Sequence, residues 1–229
     1  MQLREPSHRG EDMNRRSFAL SLGTALVGAA APILAVGQST ERSVDASRVF
    51  AHLLDYYRLP AGERSHFHLV FKLRAETGET PPISIASAGA RRALNLDRDG
   101  AVLNPPTAAE LQGNGQVIVG GPSRMSAALS LAPLLALGAS VAAADAISAL
   151  AQANAAIGRF AGPMGMFARR LNGVGFVAPR SAAGTALLAD ARQSPMPYVN
   201  ARFEFRPSSL PNVRALNFLT APTDAVFLP

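Results

Sequence analysis

The stretch HFHLVFKLR, residues 66–74, alternates apolar and polar side chains without a break. In an extended strand successive side chains point to opposite faces, so Phe67, Leu69, Phe71 and Leu73 make one apolar face. His66, His68, Val70, Lys72 and Arg74 make the other. Such a strand must lay its apolar face on a core, which predicts a chain built around sheets with one wetted face. The wetted face also carries the best candidate for chemistry. His66 and His68 share it, and two imidazoles at alternate strand positions suit ligation of one metal ion. His52, three residues before Asp55 on a preceding helix, is a candidate to join them. Lys72 and Arg74 continue the same face and oppose a bound cation, which favours the plainer reading of two exposed strand histidines.

Upstream, Val49, Phe50, Leu53, Leu54 and Tyr57 recur at helical spacing until Leu59-Pro60, which predicts one short amphipathic helix. Downstream, turn residues separate short strand-like runs: ISIASA from Ile83, RALNL from Arg92, AVLN from Ala101 and QVIVGG from Gln116. Asp97 and Asp99 fall in the DRDG turn, where a carboxylate bonds the local backbone. Residues 125–144 carry no charge until Ala144, yet Pro133, Gly138 and three serines interrupt them. Met125, Ala127, Leu129 and Leu131 alternate, so a strand is expected there and no transmembrane span. From Ala142 a longer helix is predicted, with Ile147, Leu150, Ala151 and Ile157 on its apolar stripe, Asn154 as the one polar interruption, and Gly162-Pro163 as the stop. Strand signals then return at GVGFVAP, GTALLADA, YVNARFEFRP, RALNFLTAP and DAVFLP.

The predicted class is therefore α+β, mainly antiparallel sheet (a sandwich or a curved open sheet) with one short and one longer helix. ARRALNLDRDGAVLNPP, residues 90–106, and AGTALLADARQSPMPY, residues 183–198, share a loose shape, which raises a duplicated β unit on either side of the central helix. The expected organisation is a leader over residues 1–37, a linker over 38–48 and a single α+β domain over 49–229.

Composition narrows the function. The chain has no cysteine, which removes disulfides, thiolate metal sites and cysteine nucleophiles. The net charge of +6 comes almost wholly from scattered arginines, Lys72 being the single lysine. With no tryptophan and few aromatics, none interleaved with those arginines, nucleic-acid binding is not expected. Templates for chemistry are missing as well. Ser87 and Ser123 each lack one glycine of Gly-x-Ser-x-Gly, and GNGQVIVGG has neither dinucleotide spacing nor a phosphate-binding lysine. No cofactor is expected.

The leader is more informative. Residues 14–20 read NRRSFAL and run into SLGTALVGAAAPILAVG, a basic segment, a mildly apolar one and small residues before Gln38. Arg15, Arg16 and Phe18 resemble the twin-arginine signal of bacterial exported proteins, whose machinery carries chains already folded. Cleavage is expected between Gly37 and Gln38, and Met13 is an alternative start. The segment ALAQANAAIGRFAGPMGMFARRLNGVGF, residues 149–176, together with this leader, resembles a family of exported, uncharacterised proteobacterial proteins. That resemblance implies export to the periplasm and no particular reaction. Within the segment, Met164, Met166 and Phe167 read as core packing after the helix end or as a soft surface for a ligand.

The expected function is that of an exported soluble periplasmic protein, a non-catalytic binding or envelope-associated module. Its partners are the export machinery, through the leader, and an envelope ligand or protein. The alternative is a periplasmic hydrolase or metal-dependent enzyme using His66 and His68. Replacing Arg15 and Arg16 together by lysine is expected to leave the precursor in the cytoplasm, read by fractionation and immunoblotting, while wild-type protein reaches the periplasm.

Overall fold

A computed structural model describes residues 41–76, 79–162, 169–179 and 182–229. The leader, with Arg15, Arg16, Phe18, Gly37 and Gln38, lies outside the described residues, as do Met164, Met166 and Phe167. In chain order the elements begin with β1 (Glu41–Asp45), α1 (Ala46–Val49), α2 (Leu53–Arg58), a 3-10 turn (Ala61–Glu63) and β2 (Phe67–Ala75). β3 (Ile83–Ser87), β4 (Ala90–Ala93), α3 (Ala108–Gln112), β5 (Gln116–Gly120) and β6 (Met125–Pro133) follow. Then come β7 (Ser140–Ala142), the long α4 (Ala143–Phe160), β8 (Gly173–Val177), β9 (Gly184–Leu188) and β10 (Gln193–Pro195). β11 (Tyr198–Val199), β12 (Arg202–Phe205), β13 (Val213–Phe218) and β14 (Asp224–Leu228) complete the chain. The sheets are open and all their pairings antiparallel. Among the described residues no helix is long and apolar enough to cross a membrane. The uncharged run beginning at Met125 forms β6, β7 and the start of α4.

Strand order reveals a duplication. One sheet runs β1-β5-β3-β4, and another runs β7-β13-β9-β10. β2 pairs with β6, and β8 pairs with β14. Each half is thus a strand, a helical segment, a long inner strand, a hairpin, a crossing segment and two closing strands. Register fixes the equivalences. Val44 pairs with Val117 and Val141 with Leu216, so Ser43-Val44-Asp45-Ala46 corresponds to Ser140-Val141-Ala142-Ala143. Ile83 faces Val119 and Gly184 faces Phe218, so Ile83 and Gly184 correspond. The next step repeats too: the Gly120 amide bonds the Pro82 carbonyl at 3.0 Å, and the Leu219 amide bonds Ala183 at 2.9 Å. The two stretches whose shapes agree in sequence are offset from this register. Residues 90–106 begin at β4, whereas 183–198 begin at the end of the loop before β9, the counterpart of β3.

The halves fill their interiors differently. The first packs Phe50, Leu53, Phe67, Leu69, Phe71, Leu73, Ile83 and Ile85 together. In the second, glycine and alanine replace the two isoleucines, and Phe176, Phe203, Phe205, Phe218 and Met196 supply the bulk. A Cβ at Gly184 would stand 2.8 Å from the Phe203 ring, so the strand has no side chain because a ring lies against it. α4 joins the cores: Ala143, Ala146 and Leu150 belong to the second, Ala153 and Ala156 to the first. Its buried face is therefore mostly alanine. Ile147, expected on that face, is 44% exposed, because the short side chains let the helix lie close to the sheets there. Asn154 is no interruption. Its side chain donates to the Leu171 carbonyl and accepts from the Leu171 amide, both at 2.9 Å, closing the loop back onto the helix.

Three further expectations meet a different outcome. Residues 41–45, read as linker, form β1, held by its ladder to β5 and by Arg91 on Glu41 at 2.9 Å. The single short helix is two, broken where His52 takes φ of 64°. YVNARFEFRP, read as one strand, is the β11–β12 hairpin, turning at Asn200 and Ala201 with φ of 50° and 62°. Asparagine tolerates that left-handed region, while alanine sits there under strain of about 1 kcal/mol.

α3 is the best-capped element. Thr107 Oγ1 accepts from the Glu110 amide, and the Glu110 carboxylate accepts from the Thr107 amide at 2.7 Å. Arg92 grips the same carboxylate with two bonds, at 2.7 and 2.8 Å, and donates onward to the carbonyls of Asn104 and Pro105. The guanidinium, with help from Thr107, holds the Glu110 carboxyl down at about 2. A depressed carboxylate stabilises the fold fully above its unfolded value near 4.5 and loses that contribution as pH falls towards 2. The urea midpoint is expected to drop between pH 5 and pH 3, and to drop less in Glu110→Gln.

Candidate functional site

His66 stands immediately before β2, at the end of the segment that follows the 3-10 turn. Its Nδ1 lies 2.9 Å from Ser65 Oγ and 3.2 Å from Gln152 Nε2. Its Nε2 faces Asp145 Oδ1 at 3.8 Å. Gln152 donates through its amide nitrogen, so Nδ1 is the accepting nitrogen, and the ring of a neutral His66 carries its proton at Nε2, towards Asp145. Gln152 also accepts from the His66 backbone amide at 3.0 Å and donates to the Gly62 carbonyl at 2.9 Å. Arg159, further along α4, pairs with Glu63. Asp145, Gln152 and Arg159 recur every seven residues, so one face of α4 is pinned to the segment before β2. That seven-residue spacing was available in the sequence and is the signal for Asp145 and Gln152. Ser65 adjoins His66 in the chain and carries no signal of its own.

The chain Ser65–His66–Asp145 has the polarity of a hydroxyl, a base and an orienting carboxylate. The imidazole uses Nδ1 towards the serine, and Ser65 Oγ also lies 3.3 Å from the Gly62 carbonyl. Ser65, His66 and Asp145 all reach solvent to some degree. Chemically the cluster can pass a proton from Ser65 to His66; mechanically it ties α4 to β2.

His68 has different surroundings. Its Nδ1 is buried and has no hydrogen-bond partner, and burial pushes the imidazole below its usual range, with Asp224 of β14 pulling partly the other way. His52 stacks on Phe160, with ring centroids 5.4 Å apart, and faces Asp55 at 3.8 Å. His52 thus meets Asp55 and Phe160, His66 meets Gln152 and faces Asp145, and Asp224 acts on His68 through its charge alone. Among the described residues no three histidine, aspartate or glutamate side chains converge as a metal site would need.

A groove opens in the first repeat, a feature with no sequence expectation behind it. It has a volume of about 640 Å³ and lies between the end of β2, residues 80–83, the end of β4 and the turn at residues 97–100. Leu73, Ile83 and Leu94 form a buried floor, with Leu96 half-buried beside them. Arg74 and Arg98 stand at the rim with Asp97 and Asp99. Asp97 is committed to the turn: its carboxylate accepts from the amides of Asp99 and Ala101, each at 2.8 Å, as the DRDG sequence implies. Arg74 reaches the Asp99 carbonyl at 3.5 Å.

No family model matches the chain, and neither a curated protein nor a solved structure matches it at a significant level.

Burial of His68 carries a sign that can be measured. Because its folded value lies below the unfolded one near 6.5, the unfolded chain takes up the proton first, and stability falls as pH drops below 6.5. The denaturation midpoint is expected to decline from pH 7.5 to pH 5.5 in the wild type, and His68→Leu should flatten that decline.

Proposed function

We propose that this chain is an exported periplasmic module that binds a ligand without transforming it, the ligand lying in the groove of the first repeat. The groove is the observation that carries this reading: Leu73, Ile83, Leu94 and Leu96 share one open depression with Arg74, Asp97, Arg98 and Asp99, a mixed lining able to hold a ligand with apolar and charged parts. The leader supports the compartment. Its paired arginines and mildly apolar segment fit delivery of a finished fold by the twin-arginine route, and the interlocked halves form such a fold. The resemblance of residues 149–176 to exported proteobacterial proteins points the same way.

A second reading is favoured by the Ser65–His66–Asp145 chain. In it the protein is a periplasmic hydrolase, with Ser65 Oγ attacking an acyl carbon as its proton passes to His66 Nδ1. The cluster is not among the residues that line the groove and doubles as the clamp on α4, which leaves binding as the stronger proposal.

1-Anilinonaphthalene-8-sulfonate separates the two. Its fluorescence is expected to rise with micromolar full-length protein and to fall several-fold in Ala93→Trp, which places an indole on the groove wall. No enhancement, or an equal one in Ala93→Trp, overturns the groove as the binding site. p-Nitrophenyl acetate hydrolysis reduced by about 100-fold or more in both Ser65→Ala and His66→Ala would replace the binding reading with the hydrolytic one.

A further inference from the structure

The buried face of α4 is mostly alanine, and the face it turns outward is nearly as plain. Ala144, Ile147, Ala151, Ala155 and Gly158 are all exposed. At 3.6 residues per turn they lie on one stripe about 80° wide, centred on Ala151. No charged residue falls within it. A surface helix ordinarily turns its charged side to water, whereas this one presents methyl groups and an isoleucine that is 44% exposed. The apolar surface continues past the helix. Leu134, 55% exposed, donates its amide to the His66 carbonyl at 2.8 Å, and the His66 ring faces Asp145 in the first turn of α4. None of these residues lines the groove.

The charges beside the stripe indicate what covers it. Asp145, Gln152 and Arg159 stand about 100° round the helix from Ala151. Along that edge the charge therefore runs negative, neutral, positive. Asp145 and Arg159 are each half exposed, the first facing His66 and the second paired with Glu63. A second α4 laid antiparallel sets its own Arg159 beside Asp145 and its own Asp145 beside Arg159. A parallel copy would set like charges together. The side-chain volumes match under the same rotation. With a two-fold axis at Ala151, that residue meets itself, Ile147 meets Ala155 and Ala144 meets Gly158. The one large side chain of the stripe thus falls on the small residues of the other copy, as an isologous contact requires.

We propose that a second copy of this chain covers the face, in a homodimer whose two α4 helices cross antiparallel at Ala151. Alanine at the crossing lets the helix axes approach to the near end of the usual range of about 8–10 Å. Asp145 of each copy joins the Arg159–Glu63 pair of the other, and Leu134 borders the contact. From Ala144 to Gly158 the stripe is about 21 Å long. That falls short of a permanent interface of about 800 Å² per partner, so the dimer is a reversible one.

Sedimentation equilibrium and disulfide trapping of the full-length chain test this. At about 100 µM the mass is expected to approach twice the 23.9 kDa of one chain. Ile147→Glu is expected to raise the dissociation constant at least tenfold, with an unchanged urea midpoint because the side chain is exposed. The chain has no cysteine, so a single introduced one reports without interference. Ala151→Cys is expected to form a covalent dimer under mild oxidation. Ala144→Cys is expected not to, since the axis places its sulfur about 21 Å from that of the second copy. A monomer at the higher concentration overturns the proposal, whether the face is bare or covered by another part of the same chain. A dimer that a folded Ile147→Glu leaves intact lies on another surface and overturns it as well. Equal cross-linking of Ala144→Cys and Ala151→Cys overturns the antiparallel crossing.

Discussion

Alanines of α4 lie against two hydrophobic cores in succession, and the arrangement of both halves depends on that contact. Ala143, Ala146, Ala149 and Ala153 are fully buried, and Ala156 nearly so. A helix surface made of methyl groups can approach a sheet closely, and its backbone contributes to packing in place of long side chains. The first half of the helix sits on β7, β8 and β13, and the helix also meets β2 and β6 of the other repeat. Its polar face is fastened independently by Asp145, Gln152 and Arg159 to the segment before β2, and Asn154 fastens the loop that follows. Larger residues along the buried face would push the sheets apart and disturb both cores together.

The duplication explains why the two halves share topology without sharing appearance. Where the first places isoleucine on its central hairpin strand, the second places glycine and alanine, and the lost volume returns as phenylalanine from neighbouring strands. Cores conserve total volume more strictly than the location of any side chain.

The sequence disclosed elements whose own pattern was strong. β2 alternates over its full length and needs no partner to be recognised, and in β6 Met125, Ala127, Leu129 and Leu131 alternate with smaller or polar residues in the same way. It concealed elements whose cause lies elsewhere in the chain. ERSVD, polar but for Val44, is exposed on every side chain and becomes β1 through its ladder with β5. Asn200-Ala201 lacks the glycine that usually announces a hairpin. On α4, Ile147 and Ile157 dominate a reading by hydrophobicity, while the smaller alanines occupy the contact. The histidines at 66 and 68 were visible as a pair, yet the groups that act on them, Gln152 and Asp145 for one and the charge of Asp224 for the other, come from distant segments. The groove was hidden most completely, since its lining is gathered from the end of β2, residues 80–83, the end of β4 and the turn at residues 97–100.

The sharing of α4 also sets an order of events during synthesis. The first core is incomplete without Ala153 and Ala156, so the N-terminal half cannot close while only its own strands have emerged from the ribosome. Until α4 arrives, that core lacks the surface the helix supplies beside β2 and β6, in a state prone to association with other chains. The chain therefore commits late, when the helix that serves both halves is in place.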